Sequence, residues 1–202
     1  MIRRFQLLTY ICNELAVYLY TSHIIKNEEI SVYRYGLELF LSSFITTLVM
    51  LIIGALFNSF LITALYIVIF FCFRPLCDGY HAKTYLQCFL ISLAFYLLLL
   101  VILAQPRYII LIICTIIGVI SVTSLLIFAP IKRVDSNAKM ITRKKQRLYI
   151  QLIIAFALYL LFYFLSMELF CVVIAYTLSV INLLLVTEII EQKGCFKCKK
   201  NF

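Results

Sequence analysis

The chain has 202 residues, of which 65% are hydrophobic, and its mean hydropathy is +1.07. Soluble domains are typically ~45–50% apolar, so this composition argues against a water-soluble fold and predicts an integral membrane protein. The formal net charge is +9, but the basic residues lie between apolar runs. That pattern is typical of loops facing an anionic membrane leaflet rather than of a nucleic-acid-binding protein. We therefore expect a lipid bilayer as a partner and no nucleic acid.

The N-terminal segment 1–27 predicts an amphipathic helix in or near the membrane interface. Its apolar and polar residues fall on opposite sides at helical spacing. The apolar stripe consists of Phe5, Leu8, Cys12, Leu15 and Leu19, and the polar side of Arg3, Gln6, Asn13 and Thr21. Asn13 and Glu14 interrupt the apolar run and no small-residue cleavage site follows, so we do not interpret the segment as a signal peptide.

Six later segments are apolar enough to be candidate membrane spans, which need ~20 mostly apolar residues. They are residues 37–57, 59–73, 85–104, 108–130, 149–167 and 169–187. Tight breaks after the first, third and fifth spans predict three helical hairpins. The sequence contains no internal repeat and no low-complexity linker. We therefore expect an all-α polytopic membrane protein, with residues 1–202 forming one membrane domain.

The distribution of basic residues orients these spans. With the N-terminus in the cytoplasm, every one of the 18 basic residues except Arg107 falls in a cytoplasmic segment, as the positive-inside rule requires. This orientation predicts that both termini are cytoplasmic. It also puts the segment 74–88 and the basic loop 131–148 on the cytoplasmic face of a multi-pass protein of the cell membrane.

Residues 74–88, RPLCDGYHAKTYLQC, concentrate reactive side chains between two apolar segments. Polar groups are costly beside a membrane core, so this stretch is either a surface turn or a site. Cys88 lies near the start of the third span, where the helix dipole favours its thiolate, and His81 is the candidate base. On a continuous helix these residues would lie ~10 Å apart. We therefore expect His81 on a loop that folds back, or a His supplied by another subunit.

Other residues of the stretch have supporting or competing roles. Gly79 permits a bend with positive φ, and Arg74 is suited to steady a carboxylate or an oxyanion. Asp78 either orients His81 or is a solvated turn residue. Cys77, four residues before His81, is a rival nucleophile.

The remaining cysteines predict no metal centre. Cys12, Cys114 and Cys171 lie in apolar contexts and are interpreted as small packing residues, as is Cys72 at a helix end. The CFKC motif at 195–198 has one pair of thiols, whereas a structural zinc site needs about four ligands. We expect no metal and no cofactor.

The motif R-x4-G-Y-H-A-x5-C at 74–88 resembles the signature of the AgrB family, the accessory gene regulator B membrane peptidases of Gram-positive bacteria. Two further segments match in order. EEISVYRYGLELFL at 28–41 is similar to the family's YGLE-type segment, and FAPIKRVDSNAKMITRKKQRL at 128–148 to its Ala-Pro loop and basic stretch. The resemblance covers roughly 28–190. In place of the family's small residue and two glycines, this chain has Cys77, Asp78 and Gly79.

The resemblance implies a cysteine endopeptidase that removes the C-terminal part of an AgrD-like propeptide. The product is held as an acyl-enzyme thioester, and an internal Cys or Ser of the propeptide then attacks to give a thiolactone or lactone ring for quorum sensing. Carried over by position, Cys88 is the nucleophile and His81 its partner, and Arg74 and Gly79 match other motif positions. Family members also suggest a homodimer.

The basic loop 131–148 has two interpretations. Its cations would attract an acidic propeptide tail, or they reflect membrane topology alone. The substrate-binding residues expected on the first interpretation are Lys132, Arg133, Lys144 and Lys145. Three other functions remain open at this stage: a small transporter, a membrane cysteine acyltransferase, or an assembly protein without covalent chemistry.

Overall fold

The computed structural model describes residues 3–77, 85–130 and 138–199, and these residues form seven α-helices and no strand. Six of the helices, α2 to α7, are long and apolar enough to cross a membrane. The predicted all-α, six-span architecture with a preceding N-terminal helix is therefore confirmed for the described part of the chain. The helices are α1 (Arg3–Thr21), α2 (Ile30–Leu56), α3 (Phe60–Cys77), α4 (Tyr85–Leu103), α5 (Arg107–Phe128), α6 (Ala138–Phe164) and α7 (Glu168–Lys199).

Several helices are longer than the apolar segments that predicted them. Helix α2 begins at Ile30 rather than at 37, and α6 begins at Ala138 rather than at 149. Each has 27 residues, which corresponds to ~40 Å of helix, whereas the hydrocarbon core is ~30 Å thick. The additional turns extend beyond the hydrocarbon, where charged residues are tolerated, and hydropathy alone therefore places the helix starts too late.

Both charged segments are helical over more of their length than the apolar segments predicted. Helix α3 continues past 73 to Cys77, so Arg74 is helical, whereas α4 begins at Tyr85 as predicted and includes Cys88. Pro75 lies in the last turn of α3, and because it has no N–H it removes one helical hydrogen bond close to the helix end. Residues 138–148 of the predicted basic loop likewise form the first turns of α6.

Three helices are followed, two residues after their last residue, by a residue in the left-handed backbone conformation. These residues are His23 (φ 58°), Asn58 (φ 52°) and Ser166 (φ 57°), which follow α1, α2 and α6. The next N–H after each of them bonds to a carbonyl five residues back, for example Ser59 to Gly54 at 2.7 Å. This pattern satisfies helix-terminal carbonyls and reverses the chain sharply, and it accounts for the tight breaks predicted between α2 and α3 and between α6 and α7.

The chain divides into two compact units, Met1–Ile52 with Ala82–Ala94, and Ile53–His81 with Phe95–Phe202. In the second unit, α7 is the central helix and packs against α3, α5 and α6. Every residue from 171 to 178 is buried. Gly118 of α5 lies against Ala175 of α7, and a β-carbon at 118 would be 3.0 Å from the Ala175 β-carbon. Small residues thus permit the close approach of these two helices.

In the first unit, the fully buried side chains of α1 are small. Cys12 and Ala16 have no exposed surface, and Leu19 is half-buried. Leu15 of the predicted apolar stripe is 46% exposed, so it does not pack against the protein and is free to face lipid at the interface. Cys12 and Ala16 are four residues apart and share one face of α1, and this face is covered.

Candidate active site

Arg74 lies in the last turn of α3 and is half-buried. Its guanidinium carbon is 5.2 Å from the centre of the Phe70 ring, one helical turn earlier. A cation over an aromatic face within ~6 Å is attracted by the ring quadrupole. The charge therefore lies back along the helix, against a buried ring.

Cys88 is the fourth residue of α4 and is half-buried. Its thiol is not in a disulfide. The first turn of a helix carries partial positive charge from its backbone N–H groups, which favours a thiolate. The position of Cys88 in this turn agrees with the prediction made from the sequence.

The other cysteines differ from Cys88 in exposure. Cys77, the rival nucleophile, is the last residue of α3 and is only 1% exposed. Cys12, Cys114 and Cys171 are buried, which confirms their interpretation as packing residues. Cys72 was interpreted in the same way, but this is wrong, since it is exposed on the outer side of α3. Its neighbours Tyr66, Phe70 and Phe73 cover the inner side of that helix instead.

Several predicted site residues lie outside the described residues, namely Asp78, Gly79, His81, Lys132 and Arg133. The pairing of His81 with Cys88 thus stays a prediction. Lys144 and Lys145 are described and lie near the start of α6. Lys144 is half-buried, whereas Lys145 is exposed and its Nζ atom is 5.8 Å from the centre of the Tyr149 ring.

The transporter alternative predicts that polar residues inside the spans line a path through the membrane. Most of their hydroxyls donate to the carbonyl one turn earlier in the same helix, as Thr46 does to Ser42 at 2.8 Å and Ser121 to Ile117 at 2.8 Å. Thr47, Thr123 and Ser179 bond in the same way. A hydroxyl that bonds within its own helix is suited to helix packing rather than to lining a polar path.

The structure adds Phe70 and Tyr66 to the residues near Arg74, neither of which sequence reasoning selected. Both are buried, and their rings are stacked with centres 5.8 Å apart. The sequence signal that could have identified these two residues is their spacing relative to Arg74. Positions 66, 70 and 74 are each four residues apart, so the three side chains share one helix face.

The described fold and residues define a multi-pass helical membrane protein with a half-buried cysteine at the start of one span. The family model for accessory gene regulator B (AgrB) matches residues 12–190, and the chain therefore belongs to the AgrB family. No curated protein and no solved structure matches the chain. Family membership assigns it a role in the processing of a quorum-sensing peptide and implies an AgrD propeptide as its substrate.

Proposed function

We propose that this protein is a membrane-embedded cysteine endopeptidase that cleaves an AgrD-like propeptide and promotes cyclisation of the product. The observation that carries the proposal is the half-buried position of Cys88 in the first turn of α4. A nucleophile must be reached by a peptide carbonyl and must ionise, and this position favours both. Cys77 has almost no exposed surface, which supports Cys88 over its rival.

In the proposed first step, His81 accepts the thiol proton and the Cys88 thiolate attacks the scissile carbonyl. The carbon–nitrogen bond then breaks, the departing amine takes the proton back from His81, and the N-terminal part of the propeptide stays on Cys88 as a thioester. Arg74 stabilises the negative charge that develops on the carbonyl oxygen. Asp78 orients His81, and Gly79 supplies the bend.

In the second step, the internal thiol or hydroxyl of the propeptide attacks the thioester carbonyl. The new thioester or ester closes the ring, and Cys88 leaves as a thiolate. His81 accepts the proton of the attacking thiol or hydroxyl and returns it to Cys88. A nucleophile on the same peptide has a high effective concentration. A site at the membrane also limits access of water, which would otherwise hydrolyse the thioester to a linear acid.

The proposal puts the site at the cytoplasmic face. The end of α3 and the starts of α4 and α6 fall on one side of the membrane when each span crosses it once, and these ends carry the basic residues that favour the cytoplasm. Lys144 and Lys145, with Lys132 and Arg133, are proposed to attract the acidic tail of the propeptide. We also propose that the protein is a homodimer, and single-molecule photobleaching in vesicles would count the subunits of each particle.

A reconstituted cleavage assay tests the proposed function. The purified protein in lipid vesicles is given a synthetic AgrD-like propeptide, and linear and cyclic products are separated by mass spectrometry. We expect both cleavage and ring closure with the wild type, neither with Cys88→Ser or His81→Ala, and both with Cys77→Ser and with the exposed control Cys72→Ser. Cleavage by the Cys88→Ser variant would show that another residue is the nucleophile. No cleavage of a cognate propeptide by the wild type would favour the transporter or assembly alternatives.

A further inference from the structure

The guanidinium of Arg74 does not take the direction that is usual for a cation at the end of a span. Long basic side chains near helix ends normally extend toward the headgroups and water. Here the guanidinium carbon lies 5.2 Å over the ring of Phe70, a residue that is 7% exposed and nearer the middle of the span. The face of the Phe70 ring is suited to offset part of the hydration that the charge loses in this position.

The Phe70 ring also stacks against a second buried ring, that of Tyr66. The Tyr66 ring stacks on it with an interplanar angle of 19°, and Tyr66 is 1% exposed. Tyr66 in turn contacts the ring of Tyr96, with centres 5.8 Å apart, and the Tyr96 hydroxyl is 2.7 Å from the Thr63 hydroxyl. A row of buried aromatic rings thus leads from the interior of the second unit to Arg74.

We propose that Phe70 is a positioning residue that acts through Arg74. Its ring, stacked with that of Tyr66, holds the guanidinium in one orientation, so that the charge does not have to reorganise when the oxyanion forms. Preorganised charge is worth more than mobile charge in a site of low dielectric. This inference rests on the proposed function, in which Arg74 stabilises that oxyanion.

A purely structural role for Phe70 predicts different behaviour. If the ring only filled space, its loss would matter equally with and without Arg74, and its electron distribution would not matter. If the ring acts on the guanidinium, withdrawing electrons from it weakens the effect at nearly constant shape. The two roles are therefore separable by a double-mutant cycle and by ring fluorination.

The test measures the single-turnover rate of acylation in vesicles for variants at position 70. We expect Phe70→Leu to lower this rate by roughly three- to thirtyfold, and trifluorophenylalanine at position 70 to lower it by an intermediate factor. In an Arg74→Ala background, Phe70→Leu should have no further effect. Phe60→Leu, the same change at an exposed site of the same helix, should leave the rate unchanged.

A second readout does not depend on activity. Phenylglyoxal modifies accessible arginines, and mass spectrometry can follow its reaction at Arg74. We expect faster modification of Arg74 in Phe70→Leu than in the wild type, and no such change in Phe60→Leu. If the wild type forms no acyl-enzyme but this difference is found, the proposed function fails while the positioning of Arg74 stands. If the wild type is active and Phe70→Leu has the same effect in both backgrounds, or if fluorination has none, the inference is overturned.

Discussion

Gly54 of α2 lies directly against the side chain of Thr63 in α3. A β-carbon at position 54 would overlap the Thr63 hydroxyl and would lie 3.1 Å from the Tyr96 hydroxyl. The tight turn between α2 and α3 brings these helices together, and the absence of a side chain at 54 lets their backbones approach. The Thr63–Tyr96 hydrogen bond forms beside this contact.

Substitution of Gly54 by Ala should therefore destabilise the fold. Overpacking of this kind typically costs about 1–3 kcal/mol, and we expect a lower thermal unfolding midpoint in detergent. Gly36 lies earlier in the same helix, and a β-carbon there would meet nothing within 4 Å. Gly36→Ala is thus a matched control that should leave the midpoint unchanged or raise it. Equal midpoints for the two variants would contradict the close contact.

Two buried tyrosines should respond differently to loss of their hydroxyls. The Thr63 hydroxyl donates to the Ser59 carbonyl at 2.9 Å, so the Tyr96 hydroxyl donates to Thr63. Tyr96→Phe should cost about 1 kcal/mol in the free energy of unfolding. The Tyr66 hydroxyl is buried without a hydrogen-bond partner among the described residues, so Tyr66→Phe should be neutral or stabilising. Unfolding measurements on both variants that gave the opposite order would refute this assignment.

Cys12 of α1 should show a pH dependence set by Glu38. Burial raises the pKa of the Cys12 thiol, and the Glu38 carboxylate of α2 raises it further. Because only the thiolate reacts with alkylating reagents, less of the thiol is reactive at a given pH. In a variant with Cys12 as its only cysteine, Glu38→Gln should lower this pKa and shift the labelling-rate curve to lower pH. Superimposable curves would show that Glu38 does not act on Cys12.

Lys144 and Lys145 should affect binding of the propeptide rather than its chemistry. Replacing both by Gln removes two charges near the start of α6, and we expect a higher KM for a propeptide with an acidic tail. The rate of acylation at saturating propeptide should stay close to that of the wild type. Added salt should raise KM for the wild type more than for the double variant, because dissolved ions screen the attraction between these cations and the acidic tail. An unchanged KM would favour the interpretation of these cations as topology signals alone.

The number and order of the spans could be predicted from hydropathy, but their ends could not. A hydropathy window detects the hydrocarbon core, whereas α6 already begins at Ala138 with a basic segment that continues to Arg147. The side chains of α1 that pack against protein could not be predicted either. Ala16 is buried and Leu15 is exposed, and hydropathy does not separate the two because lipid is as apolar an environment as a packed helix face.

A candidate nucleophile could be named from the sequence because its residue type and motif position indicate its chemistry. Cys88 is preferred over Cys77 by the resemblance to the AgrB motif, and the low exposure of Cys77 agrees with this choice. Phe70 was not selected, because an aromatic residue in an apolar span is usually a packing residue. Only the position of the Arg74 guanidinium over its ring distinguishes it.

The most direct test of the central claim is to trap the acyl-enzyme. A propeptide whose internal Cys or Ser is replaced by Ala cannot close the ring, so the intermediate should accumulate on the reconstituted protein. Intact-mass and peptide mapping should then find the N-terminal part of the propeptide on Cys88, and hydroxylamine, which cleaves thioesters, should remove it. The adduct should be absent from Cys88→Ser and His81→Ala and present in Cys77→Ser. An adduct on Cys77, or cleavage of the propeptide without any covalent intermediate, would contradict the account.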